Sequence, residues 1–278
     1  MVNQAGMTER RRNIRRAVIG GQPVDLLQRE QLTAAVCEAL AGARDPLLLA
    51  SANLDHIYRF HGEADLFERR APGHWLVLLD GMPLVWAARR LTGVAWDRLA
   101  GSDYLPELLA LAEARGARVG FLGGTDGLRE PLAVALRERW PDLRVTGHWT
   151  PSRAAVLNPA ASHMLACDIR EAGTDVLVVG LGKPRQEQWM ARHASQTGAR
   201  VTAAFGAAAE FVAGTQRRAP AAMSAAGAEW LYRLAREPRR LARRYLAEGP
   251  VALARVAREH EVPESAPLGT VIGADIAA

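Results

Sequence analysis

The sequence predicts an α/β layer fold, with a mostly parallel sheet carrying helices on both faces, followed by a C-terminal helical appendage. Three observations carry this. Short apolar runs rich in β-formers alternate with longer amphipathic stretches, the pattern of a layered α/β domain. The run Val176-Leu177-Val178-Val179 is apolar throughout, as a central strand buried on both faces must be. Beyond Pro220 the strand-like runs stop and an arginine-rich, aromatic, helical pattern takes over.

In chain order, residues 1–16 read as a flexible basic arm containing Arg10, Arg11, Arg12, Arg15 and Arg16. Residues 17–220 form the core. Its strands are expected at Leu47–Ala50, Trp75–Leu79, Arg118–Leu122, Arg144–Gly147, Asp175–Gly180 and Arg200–Phe205. Amphipathic stretches at Asp103–Arg115, Leu128–Trp140, Pro159–Ala172 and Pro184–Thr197 supply the helices between them, with another starting near Pro83. Residues 221–261 form the appendage. Pro238 divides it, at the first turn of the second helix, and Gly249-Pro250 is a further break. The last expected core strand ends near Phe205, so the core should fold without the appendage. Residues 262–278 read as a disordered tail.

The chain has 278 residues and is 49% apolar, enough for one large domain with an appendage. The net charge is +5, and much of the excess sits at the two ends. Charge so localised suggests a local anionic partner. Two cysteines, Cys37 and Cys167, make neither a disulfide framework nor a metal cluster and point to a reducing compartment. No apolar stretch follows the basic N-terminus as a signal peptide requires, and no run of about 18 apolar residues occurs, so membrane contact should be peripheral. The seven histidines lack ligand spacing and no Asp-x-Asp occurs, so no metal site is expected.

In open α/β sheets ligands bind beyond the C-terminal strand ends. Four such ends carry polar residues or glycines: Ser51-Ala52-Asn53, Asp80-Gly81-Met82-Pro83, Gly123-Gly124-Thr125-Asp126-Gly127, and Gly180-Leu181-Gly182-Lys183-Pro184-Arg185-Gln186-Glu187. Asp80 follows a run of apolar residues, where partial desolvation strengthens a carboxylate base; it could equally cap the helix that follows. Gly123 and Gly124 permit close backbone approach to a phosphate, or simply a tight turn. Lys183, Gln186 and Glu187 make a turn too polar for a plain connection, which favours binding. Arg98 precedes a helix that Ser102 or Asp103 should cap, and could neutralise a phosphate. In the appendage, the segment 228–246 holds six arginines and no lysine among regularly spaced aromatic and apolar residues. Arginine forks grip phosphate in a bidentate way, and Trp and Tyr suit a membrane interface. Such a surface suits an anionic lipid or a diphosphate; taken by itself the segment reads more often as a solvated, salt-bridged helix, and the motifs that precede it shift the balance.

Taken in order, these motifs resemble the WecG/TagA/CpsF family of bacterial glycosyltransferases. To those already quoted are added Val85-Trp86, Arg89, Phe121-Leu122, Gln188-Trp189, Glu210-Phe211-Val212-Ala213-Gly214, Arg218-Ala219-Pro220, Glu229-Trp230-Leu231-Tyr232-Arg233-Leu234 and Glu237-Pro238-Arg239-Arg240. The resemblance spans roughly residues 20–247. It implies a Rossmann-like core and metal-independent, inverting transfer of a sugar of ManNAc, ManNAcA or glucose type from a UDP-sugar to a polyprenyl-diphosphate-linked saccharide. It also implies a cytoplasmic protein, peripheral at the inner face of the plasma membrane, needing no cofactor beyond its UDP-sugar substrate. By motif, Asp80 corresponds to the catalytic base. Ser51, Asn53, Arg98 and Gln186 fall at pocket positions, and Arg233, Arg240 and Arg243 match appendage arginines that reach the active site. Ser51 replaces the usual threonine, Leu79 precedes Asp80 where alanine is usual, and Ala209-Glu210-Phe211 stands where Phe-Asp-Phe is common. These departures bear on sugar specificity rather than on reaction type. Homo-oligomerisation is left open.

Two rival classes lack their signatures. A nucleotide-binding oxidoreductase should carry GxGxxG with an acidic ribose partner, and a nucleic-acid-binding module should carry a basic stripe with a reader motif. Neither occurs, so no nucleic-acid partner is expected.

Overall fold

A computed structural model describes residues 14–42, 45–67, 73–216, 220, 223 and 229–261, with the side chains at 229, 233 and 240 outside the description. The expected arm outside 14–16, the expected tail 262–278 and the Arg218-Ala219 step therefore lie outside the described residues. The six expected strands form one all-parallel sheet: β3 (Leu47–Ala52), β4 (His74–Leu79), β5 (Arg118–Gly123), β6 (Arg144–Trp149), β7 (Val176–Gly180) and β8 (Val201–Ala204). Their spatial order is β4-β3-β8-β7-β5-β6. Every residue of β3 and β8 is buried, which is why they read as unbroken apolar runs.

Two apolar layers cover this sheet. One is built on α1 (Arg29–Leu40), α4 (Gly101–Ala114), α5 (Arg129–Arg139) and α9 (Ala208–Val212). The other is built on α2 (Leu54–Arg59), α3 (Met82–Thr92), α7 (Pro159–Glu171) and α8 (Arg185–His193), with the short α6 (Arg153–Leu157) beside α7. The helices after β3 and β7 join the second layer, while those after β8 and β5 join the first. The chain thus leaves neighbouring strand ends in opposite directions, and such a switch opens the crevice where ligands bind.

A two-stranded hairpin is an addition to the expected fold. β1 (Arg15–Ile19) pairs antiparallel with β2 (Gln22–Leu26) across Gly20 and Gly21, at φ 63° and 73°. Arg15 and Arg16 are strand residues, not the end of an arm. The Arg16 guanidinium pairs with the buried Asp25 carboxylate at 2.8 Å. The same two side chains serve β4, the edge strand of the main sheet: Asp25 accepts the Val77 N–H at 2.7 Å, and Arg16 donates to the Trp75 carbonyl at 3.1 Å.

The appendage follows as α10 (Glu229–Arg236), α11 (Pro238–Ala242), a π-helical segment (Arg243–Glu248), α12 (Gly249–Arg258) and the short strand β9 (His260–Glu261). Pro238 sits in the first turn of α11, as expected. Gly249-Pro250 does not break the helix. Gly249 keeps helical angles, and the wider π-turn precedes Pro250, which has no N–H to give an α-helical bond. The appendage also packs into the core. Ala252 and Val256 of α12 belong to the buried second layer, and β9 pairs antiparallel with β1.

Candidate active site

The mouth of the site lies at the ends of β3 and β4. Asp80 follows the last residue of β4, and its N–H donates to the Ala52 carbonyl at 2.9 Å. Its side chain is half-buried and accepts the Asn53 amide at 3.0 Å. The helix after it is capped by Gly81 and has no side-chain cap bond, so Asp80 is not spent as a cap. Asn53 also caps α2, its Oδ1 accepting the His56 N–H at 3.2 Å. One side chain therefore fixes both the helix start and the carboxylate.

Behind the mouth sits a buried brace made by the Gly182–Glu187 turn. Lys183 Nζ donates to the Ser51 carbonyl and lies 3.4 Å from both His56 Nδ1 and Glu187 Oε1. Gln186 donates to the Ala204 carbonyl at 3.2 Å and to Glu187 at 3.0 Å, and its Oε1 accepts the Gly182 N–H at 3.2 Å. Three strand ends are tied together in this way. Burial pushes the Glu187 carboxyl up from its ordinary value, and the Lys183 charge opposes that. Burial, then Lys183, holds the His56 imidazole well below its ordinary value, so it is neutral and accepts at Nδ1. Gln186 is 1% exposed and Glu187 is fully buried. The turn expected to bind ligand thus places these two side chains on protein partners, as positioners of the mouth. The buried Ser51 contributes its carbonyl to the same brace.

Glycine is required where the strand ends converge. Gly123 has φ 102°, and a Cβ there would lie 2.5 Å from the Gly180 carbonyl oxygen. A Cβ on Gly124, at φ 78°, would lie 2.7 Å from Leu128. There is no room for side chains here, which is the tight turn that was the alternative to a phosphate contact. His148 Nε2 donates to the Gly123 carbonyl at 2.7 Å and holds the turn from β6. Alongside lies a cavity of about 430 Å³, lined by residues that include Thr125, Glu210, Gln216, Tyr232 and Arg236. Its lining comes from the core and from α10.

Arg98 pairs with Asp103 in the first turn of α4, and the N-cap of that helix is Ala100 with no side-chain cap bond, not Ser102 or Asp103. Arg98 still stands near the mouth, because the Leu99 N–H bonds the Leu79 carbonyl at 2.6 Å. Arg233 lies on α10 and Arg240 on α11, but their side chains fall outside the described residues. The Arg243 side chain is 83% exposed and pairs with Glu248 at 3.1 Å. The family resemblance implies that Arg243 reaches the active site. The structure turns Arg244 inward onto the buried Asp55, at 3.5 Å. Glu237 leaves helical angles between α10 and α11, at φ −133° and ψ 57°, so the two helices share no common phase. His56, Asp55, Glu248 and His148 went unremarked in the sequence. Chain proximity to Asn53 was the only signal for Asp55, and proximity to the appendage arginines the only one for Glu248; His56 and His148 offered none.

Among the described residues, no group of three or more His, Cys, Asp or Glu is placed to hold a metal ion, and no helix is long and apolar enough to cross a membrane. Trp86 and Trp230 are 57% and 44% exposed, and Leu246 63%.

The glycosyl transferase WecG/TagA/CpsF family description matches residues 17–265. Proteins of Staphylococcus aureus strains MRSA252, MW2 and NCTC 8325, each named N-acetylglucosaminyldiphosphoundecaprenol N-acetyl-beta-D-mannosaminyltransferase, are 27% identical over 182 residues, covering 66% of this chain and 68% of theirs.

Proposed function

Because the chain belongs to the WecG/TagA/CpsF family of glycosyl transferases, we propose that it moves an N-acetylmannosamine-type sugar from a UDP-sugar to a polyprenyl-diphosphate-linked N-acetylglucosamine, with inversion. The acceptor and the sugar are taken from what the staphylococcal relatives are named for. The observation that carries the chemistry is Asp80: a half-buried carboxylate at a strand mouth, held by Asn53 and not used as a helix cap.

In this reading Asp80 removes the proton from the acceptor hydroxyl as that oxygen forms its bond to the anomeric carbon. The bond from that carbon to the UDP oxygen breaks on the opposite face, and UDP departs with the electron pair. The developing diphosphate charge needs cations. Arg98 near the mouth and the appendage arginines Arg233 and Arg240 are the candidates, without a metal. The acceptor's lipid tail stays in the bilayer, so the protein works as a peripheral protein on the cytoplasmic face. Exposed Trp86, Trp230 and Leu246 support a membrane-facing side.

The test is a donor screen with a short-chain lipid-diphosphate N-acetylglucosamine, reading UDP release and the anomeric configuration of the product by NMR. A β-linked product from an α-configured UDP-sugar is expected. Retention of configuration, or turnover with no UDP-sugar, overturns the reading.

A further inference from the structure

The six-residue helix α2 touches the proposed base at one end and the appendage along its length. Its N-cap residue Asn53 donates to Asp80. Two residues later Asp55, with a side chain only 4% exposed, pairs with Arg244 of the π-turn at 3.5 Å and with Arg59 Nε at 2.9 Å. Arg59 in turn lies 3.6 Å from Glu248, which is 10% exposed and also pairs with Arg243. Two buried carboxylates, one on the core and one on the appendage, thus each pair with arginines from both sides. Buried ion pairs tolerate few geometries, because a displaced partner leaves a charge unsolvated. Of the two arginines in the π-turn described here, Arg244 is the one that reaches the core helix, with a side chain 26% exposed against 83% for Arg243.

We infer that Arg244 is a positioning residue for the transfer: docked on Asp55, it fixes the first turn of α2 and so aims the Asn53 amide at the Asp80 carboxylate. Appendage docking and alignment of the base then become one event, joined through a single short helix. This rests on Asp80 being the base, and the experiment below separates the two ideas.

Arg244→Ala and Arg244→Lys are made in the full chain, alone and combined with Asn53→Ala. They are assayed with UDP-N-acetylmannosamine and a short-chain lipid-diphosphate N-acetylglucosamine in the absence of membranes, so that anchoring plays no part. Arg59 still satisfies Asp55 in the alanine variant, which preserves the fold. Arg244→Ala should lower kcat by about tenfold with donor KM little changed, because misplacement of a reacting group costs rate more than binding. Arg244→Lys should recover most of that loss. In the Asn53→Ala background Arg244→Ala should cost less than about twofold, because the relay has already lost its far end. The same tenfold loss in both backgrounds overturns the inference. A second readout needs no substrate. Hydrogen exchange in the 53–60 segment should quicken by about tenfold in Arg244→Ala and stay unchanged in Arg239→Ala, whose side chain is exposed. Unchanged exchange in Arg244→Ala overturns the inference by itself. If the parent protein does not turn over these substrates, the functional reading fails while the exchange result still decides the relay.

Discussion

Asp80 owes its place to two neighbours: the Ala52 carbonyl that accepts its N–H and the Asn53 amide that donates to its carboxylate. Replacing it by Asn keeps the shape and removes the base. Asp80→Asn should lower turnover by about 10²–10⁴, the range for general-base catalysis, with thermal midpoint and UDP binding retained. Turnover within a few-fold of the parent would remove Asp80 from the chemistry. His56 makes a different prediction, because it is buried between Phe60 and Phe67, with both ring centroids 4.7 Å away, and is kept neutral. Its folded value lies below its unfolded one, so its contribution is present above the unfolded value and is lost on acidification. Below about pH 6.5 the unfolded chain binds a proton that the folded chain refuses, costing about 1.4 kcal/mol per pH unit. The parent's stability should fall between about pH 6.5 and 5, and His56→Phe should flatten that limb in thermal melts; an unaltered limb would assign the loss elsewhere. Asp80 and Asn53 were legible because polar residues at apolar strand ends stand out. His56 was not: a lone histidine in a short helix carries no signal until Lys183, far along the chain, is seen beside it.

The parallel strands were legible as short β-forming runs; β3 and β8 are fully buried and apolar for that reason, whereas the edge strand β6 has no buried residue. The hairpin was not, because Arg15, Arg16 and Asp25 interrupt its apolar alternation, although Gly20-Gly21 between two short runs is a hairpin signal in its own right. The charges that hid it are satisfied by each other and by β4. The π-turn was illegible for another reason. Simple helical phase assumes an unbroken α-helix, and one wide turn rotates every later face. The glycine turn after β5 yields the prediction at this scale. Gly123→Ala places a methyl against the Gly180 carbonyl on a backbone with φ 102°. It should destabilise the protein by about 1–3 kcal/mol and weaken UDP binding. Denaturant melts and calorimetric titration check both; an alanine tolerated without cost in either would mean that the strand ends can spread.

At the scale of the whole molecule, core and appendage share one apolar layer, through Ala252 and Val256, and one small sheet, through the pairing of β9 with β1. Cutting the chain at 221 should therefore give an unstable, aggregating fragment and not the self-sufficient core that the strand positions alone suggest. A cooperative thermal transition from that fragment at the parent's temperature would contradict this. Transfer should survive EDTA, since the proposed charge stabilisation is by arginine; activity lost in chelator and restored by Mg²⁺ or Mn²⁺ would overturn the metal-free reading. One further consequence concerns the open side of the sheet. β4, which carries the proposed base, is an edge strand, and unpaired edge groups are a template for another chain's strand. Here the Val77 N–H and the Trp75 carbonyl are already occupied by Asp25 and Arg16. The salt-bridged clasp is thus a guard against polymerisation: it denies a second molecule the hydrogen bonds with which fibrils begin, at the one edge where a stacked neighbour would also lie against the strand leading to Asp80.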